Sequence, residues 1–146
     1  MVENKFVGEV DLLCIDIDGV DYWIWKAIEV IQPRLVVVEY QDTLGPDRSW
    51  TVSYEEDFNV HDYAINKQHY NYCGASLRAF VRLGKQKGYQ LVGCNKGGCN
   101  AFFVKIGLAD KCLPEVTIES CFKYEWNQLG MEKRFPLVKD MEWVEV

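Results

Sequence analysis

The feature that most constrains this chain is a strand, helix, strand pattern near its N-terminus. Residues 12–17 form an apolar run that ends at Asp18-Gly19, which is typical of a strand buried on both faces of a parallel sheet. Residues 35–38 form a second such strand, and Pro33 is expected to end the helix between them. Two strands joined by a helix over about thirty residues predict a right-handed unit with parallel strands.

The helix of this unit is predicted from apolar residues that recur at steps of three and four. These are Val20, Trp23, Ile24, Ala27, Ile28 and Ile31. Asp18 or Asp21 can cap its N-terminus. We expect Trp23 in the core and Trp25 at a cleft or an interface.

Two more strands and a second helix follow a long irregular connection. Ser76 is a predicted N-cap, and the helix after it turns its apolar residues, Leu77, Phe80 and Val81, to the sheet. Residues 89–93 and 100–106 are predicted strands that pair as an antiparallel hairpin, because Asn95-Lys96-Gly97-Gly98 between them is turn chemistry. The predicted fold class is therefore α/β, with about four main strands in a mixed sheet and helices on both faces.

Two segments lack a clear pattern. Residues 41–72 contain scattered aromatics without a period, and we expect a long loop or lid there, since such connections in compact domains are usually functional. Residues 122–146 are expected to be a variable tail. The length of 146 residues suits one domain over 1–146.

Charge and hydropathy exclude several classes of partner. The 16 Lys and Arg against 22 Asp and Glu give a net charge of -6, and the basic residues do not cluster, so no nucleic-acid partner is expected. The longest apolar runs are strand-sized, well below the about 20 residues of a membrane span. The N-terminus lacks the features of an export signal. We therefore expect a cytoplasmic protein without a membrane partner.

The six cysteines are interpreted as reduced thiols. Cys94 and Cys99 are separated by four residues, which is not the short spacing of a structural zinc site. A turn explains these residues better, and no metal is predicted.

Candidate site residues follow the two parallel strands. Asp16 and Asp18 close the first strand and Glu39 closes the second, where ligands bind in open parallel sheets. Carboxylates in this pattern can hold a divalent cation or act as a general base, so these three are the candidate catalytic residues. The alternative is that Asp18 caps the helix and Asp16 binds neighbouring backbone N–H groups. The candidate substrate-binding residues are Asp21, Tyr22, Tyr40 and His61.

Several segments together are similar to one known family. They are residues 11–28, 33–40, 44–54, 74–79, 87–95 and 100–104. In this order, over roughly Gly8 to Cys121, the chain resembles the second half of FkbM-type or FkbM-like S-adenosylmethionine-dependent methyltransferases. The resemblance implies the class I methyltransferase fold, a seven-stranded Rossmann-like sheet. The four predicted strands would be its fourth to seventh, with the last antiparallel.

The same resemblance places the family's cofactor-binding elements before Asp11. It therefore implies a truncated or split methyltransferase that needs a complementing N-terminal half to use S-adenosylmethionine on a small-molecule substrate. One alternative is a non-catalytic half-domain retained for binding or self-association, because an unpaired first strand invites pairing with another copy. Another is a small lyase or isomerase that uses Asp16, Asp18 or a loop histidine without the cofactor.

Overall fold

The computed structural model describes residues 6–63 and 71–146. The strands within them are β1 (Gly8–Ile15), β2 (Ile31–Glu39), β3 (Trp50–Val52), β4 (Tyr89–Cys94), β5 (Asn100–Lys105) and β6 (Trp143–Glu145). The helices are α1 (Asp21–Ala27), α2 (Leu77–Gln86), α3 (Glu125–Leu129) and α4 (Phe135–Val138), with a π-helical turn over Gly130–Arg134. Short 3₁₀ turns cover Asp42–Leu44, Val60–Tyr63 and Glu119–Cys121. Across the described residues, no helix has the length and apolar character needed to cross a membrane.

Four strands form the main sheet in the order β1, β2, β5, β4. The pairing of β1 with β2 is parallel, and β5 is antiparallel to both β2 and β4. This confirms the α/β class, the parallel first pair, the hairpin and the mixed sheet. The parallel pair runs in register from Gly8 opposite Ile31 to Ile15 opposite Val38, so β1 and β2 end together at the same edge of the sheet.

Alternation along β2 sets which face of the sheet becomes the core. Val36 and Val38 are fully buried, whereas Val37 between them is only half-buried. On the buried face Trp25 of α1 packs against Phe103 of β5, with ring centroids 5.1 Å apart. Each fully buried side chain of this size contributes about 1.5–3 kcal/mol of hydrophobic stabilisation.

The second helix matches its sequence prediction. Ser76 is its N-cap, with Oγ accepting a hydrogen bond from the N–H of Ala79 at 3.2 Å. Leu77 and Phe80 are fully buried, as predicted. Gly84 lets α2 approach the sheet, because a Cβ there would lie 3.1 Å from the Phe103 ring. Both α1 and α2 lie on this one face, whereas the sequence predicted helices on both faces.

The first helix differs from its prediction in length and in the face that it buries. It ends at Ala27, and Ile31 and Pro33 belong to β2. Pro33 is tolerated in the strand because β5 pairs with β2 only from Leu35 onward, so no ladder bond to β5 is lost. The roles of the tryptophans are reversed: Trp25 is 2% exposed in the core, and Trp23 is half-buried.

The prediction that the first strand is buried on both faces is wrong. β1 is an edge strand, and Ile15 is its one buried residue. Leu12 is 55% exposed and Cys14 is exposed on the face away from α1 and α2. The exposed edge on the first strand that the sequence predicted is therefore present, since β2 is the one strand that pairs with β1 among the described residues.

The two segments without a clear sequence pattern meet in a second, smaller sheet. β3, from the long connection, pairs antiparallel with β6, from the C-terminal segment. Thr51 of β3 also binds the carbonyl of Gly74 through its hydroxyl at 3.1 Å, which ties the small sheet to the start of α2. Part of the predicted lid, residues 64–70, lies outside the described residues.

Candidate functional site

A cavity of about 570 Å³ lies where β1 and β2 end at the sheet's carboxyl edge. It is lined by Asp18, Glu39, Tyr40, Gln41, Asp42, Asn71, Cys73, Gly74, Gly97, Cys99, Trp126 and Arg134. The size is that of a small-molecule site. Its position follows from the parallel pair, because the chain leaves both strands at the same edge and turns outward around the opening.

Asp18 and Glu39 line this cavity, and Asp16 lies beside them although it is not itself a lining residue. Oxygen atoms of Asp16, Asp18 and Glu39 all lie within 4.8 Å of one another, as their placement after two parallel neighbours predicts. Asp16 and Asp18 are exposed and Glu39 is half-buried. Three carboxylates at this separation suit either a hard divalent cation or a proton shared between two of them. The expectation that no metal binds stays a prediction.

The surroundings of Glu39 raise its pKa strongly. Burial raises its pKa from an ordinary 4.5 to about 7, and the negative charges of Asp16 and Asp18 add to the rise. Asp16 also forms a hydrogen bond with Glu39 that favours the protonated form. A carboxyl group with this pKa exchanges its proton near neutral pH, which is the property of a general acid or base.

Asp21 holds the backbone that presents this cluster. It is 1% exposed, and its two carboxylate oxygens each accept a backbone hydrogen bond of 3.0 Å, from the N–H of Ile17 and of Gly19. Between them Asp18 has a φ of 52°, a left-handed conformation that favours residues such as Asp. Capping of α1 by Asp18 or Asp21 is not observed, because Val20 is the N-cap and no side chain caps it. Asp21 is thus placed to position Asp18 rather than to touch a substrate.

The opposite wall is built around a buried ion pair. Asp42 is 3% exposed, and its Oδ2 lies 2.6 Å from Nη2 of Arg134. The Arg134 guanidinium also stacks over the Trp126 ring at 4.2 Å and donates to Asn71 Oδ1 at 3.3 Å. Burial raises the pKa of Asp42 even though Arg134 opposes the shift. Asp42 balances the charge of Arg134, so this arginine does not form an ion pair with Asp16, Asp18 or Glu39.

Gly130 leaves the space that the Asp42–Arg134 ion pair occupies. A Cβ at that position would lie 2.6 Å from Arg134 Nη2 and 2.8 Å from Asp42 Oδ2. Its backbone is helical, with a φ of -57°, so the constraint is space rather than conformation.

The remaining predicted residues divide between the cavity and the core. Tyr40 lines the cavity but is 2% exposed, and its hydroxyl donates to the carbonyl of Cys121 at 3.3 Å. Tyr22 is buried beside Phe80 and does not line the cavity. His61 is exposed on the Val60–Tyr63 turn and is likewise not among the cavity's lining residues. Of Tyr22, Tyr40 and His61, only Tyr40 is therefore placed to contact a substrate in this cavity.

Sequence reasoning missed the residues of the ion-pair wall. Asp42 follows Glu39 by three positions, so it could have been found as another acid beyond the end of β2. Trp126, Gly130 and Arg134 recur at steps of four, which places them on one side of a helix. This helical spacing was not recognised because the rest of residues 122–146 shows no clear periodicity and was predicted to be a variable tail.

Comparison of the sequence with protein-family models, with curated proteins and with solved structures finds no match in any of the three.

Proposed function

We propose that this chain is the acceptor-binding half of an S-adenosylmethionine-dependent methyltransferase, with the cavity holding a small-molecule methyl acceptor. One observation carries the proposal. The cavity opens beyond the carboxyl ends of the parallel strands and directly beside β1, whose outer edge has no partner strand among the described residues. Ligands of open α/β sheets bind in this position. The sequence resemblance to FkbM-like methyltransferases supports the same assignment.

Glu39 is the group best placed to take a proton from the acceptor. An acceptor with an O–H or N–H group must lose that proton when a methyl group replaces it. A general base is most effective when its pKa is near the working pH, and the pKa of Glu39 is raised to about 7. Asp16 and Asp18 beside it favour an acceptor that presents hydrogen-bond donors to this end of the cavity.

S-adenosylmethionine would supply the methyl group. The described residues do not by themselves form a site for it, since β1 is the last strand on its side of the sheet and nothing described lies where the family's cofactor half would add its strands. The proposal therefore assigns the cofactor to polypeptide that pairs with β1, and the acceptor to this chain.

The test uses the protein purified from its native cells with its bound polypeptides retained. We expect this assembly to bind tritiated S-adenosylmethionine and to transfer the label to a small-molecule extract of the same cells. Glu39→Gln should lower the rate of transfer about 100-fold or more while leaving cofactor binding unchanged. Glu29→Gln, an exposed change outside the cavity, is the matched control and should leave both unchanged.

An assembly that binds no S-adenosylmethionine would rule the proposal out. Cofactor binding with a rate that Glu39→Gln leaves intact would retain the methyltransferase and remove Glu39 as its base.

Self-association through β1 is a second candidate function. Leu12 and Cys14 are exposed on β1, whose outer edge has no partner strand among the described residues, and this favours self-association. Glu9 and Asp11 on this strand lie 3.9 and 3.1 Å from the Arg34 guanidinium of β2, so pairing two copies here would bring two arginines together with the four carboxylates. A dimer in light scattering that Leu12→Lys dissolves would establish this function, and a monomer at high concentration would exclude it.

A further inference from the structure

A second surface, away from the cavity, is built from a row of aromatic rings. The row runs from Phe135 through Trp50, Trp143 and Tyr72 to Tyr63 and Phe58. Successive ring centroids are 6.5, 6.5, 4.8, 4.8 and 5.4 Å apart. Tyr72, Phe58, Tyr63 and Trp143 pack with Val52 and Val138 in a second, smaller hydrophobic cluster, and all rings of the row except Tyr72 are half-buried, so part of each reaches the surface. We call this row the aromatic surface.

One end of the aromatic surface already holds a cation. The guanidinium of Arg48 lies 4.0 Å over the Phe135 ring and 5.5 Å from the centroid of Trp50. Ring faces attract such cations through their quadrupole, and guanidinium groups stack on them well. Arg48 thus shows that rings of this surface can bind a guanidinium group.

The other end carries negative charge instead. Glu55 accepts a hydrogen bond of 2.9 Å from the Tyr63 hydroxyl. That bond raises the pKa of Tyr63, and desolvation and the charges of Glu55, Asp62 and Glu142 add to the effect. Among the described residues no lysine or arginine lies over Tyr63 or Phe58.

The charge imbalance extends beyond the ring itself. Residues 50–63 and 140–146 contain the acids Glu55, Glu56, Asp57, Asp62, Asp140, Glu142 and Glu145 and no lysine or arginine. These segments are neighbours, because β3 pairs with β6 and the Tyr72 hydroxyl donates to the carbonyl of Glu142 at 2.7 Å. Lys139 lies 3.9 Å from Asp140, but no ion pair among the described residues involves Glu55, Asp62 or Glu142, so the Tyr63 end of the aromatic surface combines rings with carboxylates that no described cation balances.

We propose that the Tyr63 end of the aromatic surface is a docking site for an arginine-bearing segment of a partner polypeptide. Its guanidinium groups stack on Tyr63 and Phe58 as Arg48 stacks on Phe135, and the carboxylates of Glu55, Asp62 and Glu142 balance its charge. A second copy of this chain fits less well, since each copy carries a net charge of -6 and would bring the same acids to the interface. The proposal is independent of the function assigned to the cavity.

The test measures binding of two defined peptides, hexaarginine and hexalysine, to the full chain by calorimetry. We expect hexaarginine to bind about threefold tighter, because guanidinium stacks on rings better than ammonium. Affinity for both peptides should fall as salt rises from about 50 to 300 mM, since exposed charges are screened. Tyr63→Leu should abolish the preference for arginine while retaining the weaker charge-driven binding.

A charge-matched pair of double variants separates this surface from the acidity of the whole chain. Glu55→Gln with Glu142→Gln should weaken hexaarginine binding about threefold to tenfold. Glu29→Gln with Glu132→Gln removes the same charge from exposed positions elsewhere. This double variant should change the affinity for hexaarginine less than twofold. Equal losses in the two double variants, equal affinities for the two peptides, or a dimer in sedimentation that buries the surface would each overturn the proposal.

Discussion

At the scale of single residues, the site depends on where charge is buried and where it is balanced. Asp42 is paired with Arg134 at 2.6 Å, whereas no ion pair among the described residues involves Glu39, which has the carboxylates of Asp16 and Asp18 beside it. The first arrangement fixes a wall of the cavity. The second leaves a proton on Glu39 near neutral pH, and this difference gives the two acids different roles although they are three positions apart.

The pH dependence of stability should report the proton on Glu39. The folded chain keeps this proton up to about pH 7, whereas an unperturbed glutamate loses it near 4.5. Its contribution to the free energy of unfolding is therefore complete below about pH 4.5 and lost as pH rises through 7. We expect wild type to lose about 1–3 kcal/mol relative to Glu39→Gln over this range in urea titrations. Parallel profiles for the two proteins would contradict the raised pKa.

Gly130→Ala tests the ion-pair wall. Alanine normally favours a helix over glycine by about 1 kcal/mol, but here its Cβ would meet Asp42 and Arg134. We expect a net destabilisation of about 1–3 kcal/mol in chemical denaturation, because the buried pair must open. In an Arg134→Ala background the same change should cost clearly less. An alanine that stabilises the wild-type background would show that the wall is looser than described.

At the scale of elements, local sequence signals predicted most of the fold. The parts that were not predicted depend on contacts between residues far apart in the sequence. The Ser76 cap, the hairpin turn and the parallel pair all arise from residues near one another in sequence. Pro33 was misassigned because a proline within a strand depends on which neighbours the strand has. Arg134 was missed because its partner Asp42 is 92 positions away and the helix that carries it shows little period.

The two edge strands of the main sheet should respond differently to the same substitution. Leu12 in β1 is 55% exposed and Leu91 in β4 is 1% exposed. Leu12→Ala should therefore change the free energy of unfolding by less than about 1 kcal/mol, whereas Leu91→Ala should cost about 2–5 kcal/mol. If Leu12→Ala were as costly as Leu91→Ala, β1 would be covered in the isolated chain, as the sequence alone had suggested.

At the scale of the whole molecule, the four-stranded main sheet carries both a cavity and, at β1, an outer edge without a partner strand among the described residues. The cavity draws on four separate stretches, the strand ends, the long connection, the turn between β4 and β5 and the C-terminal helices, so its walls form only when the chain is folded. The acids at the ends of β1 and β2 could be predicted from sequence, since parallel neighbours end together. The outer edge of β1 lies beside these acids, and the proposal places the cofactor-binding polypeptide at this edge.

Hydrogen exchange along β1 tests this relation most directly. Amide exchange at residues 8–15 is measured by mass spectrometry in the isolated chain and in the assembly purified from native cells. The account predicts fast exchange at the outward amides of β1 in the isolated chain and strong protection in the assembly, with β2 protected in both. Equal, strong protection of β1 in the isolated monomer would mean that the outer edge of β1 is already closed, and would contradict the proposal that another polypeptide completes this site.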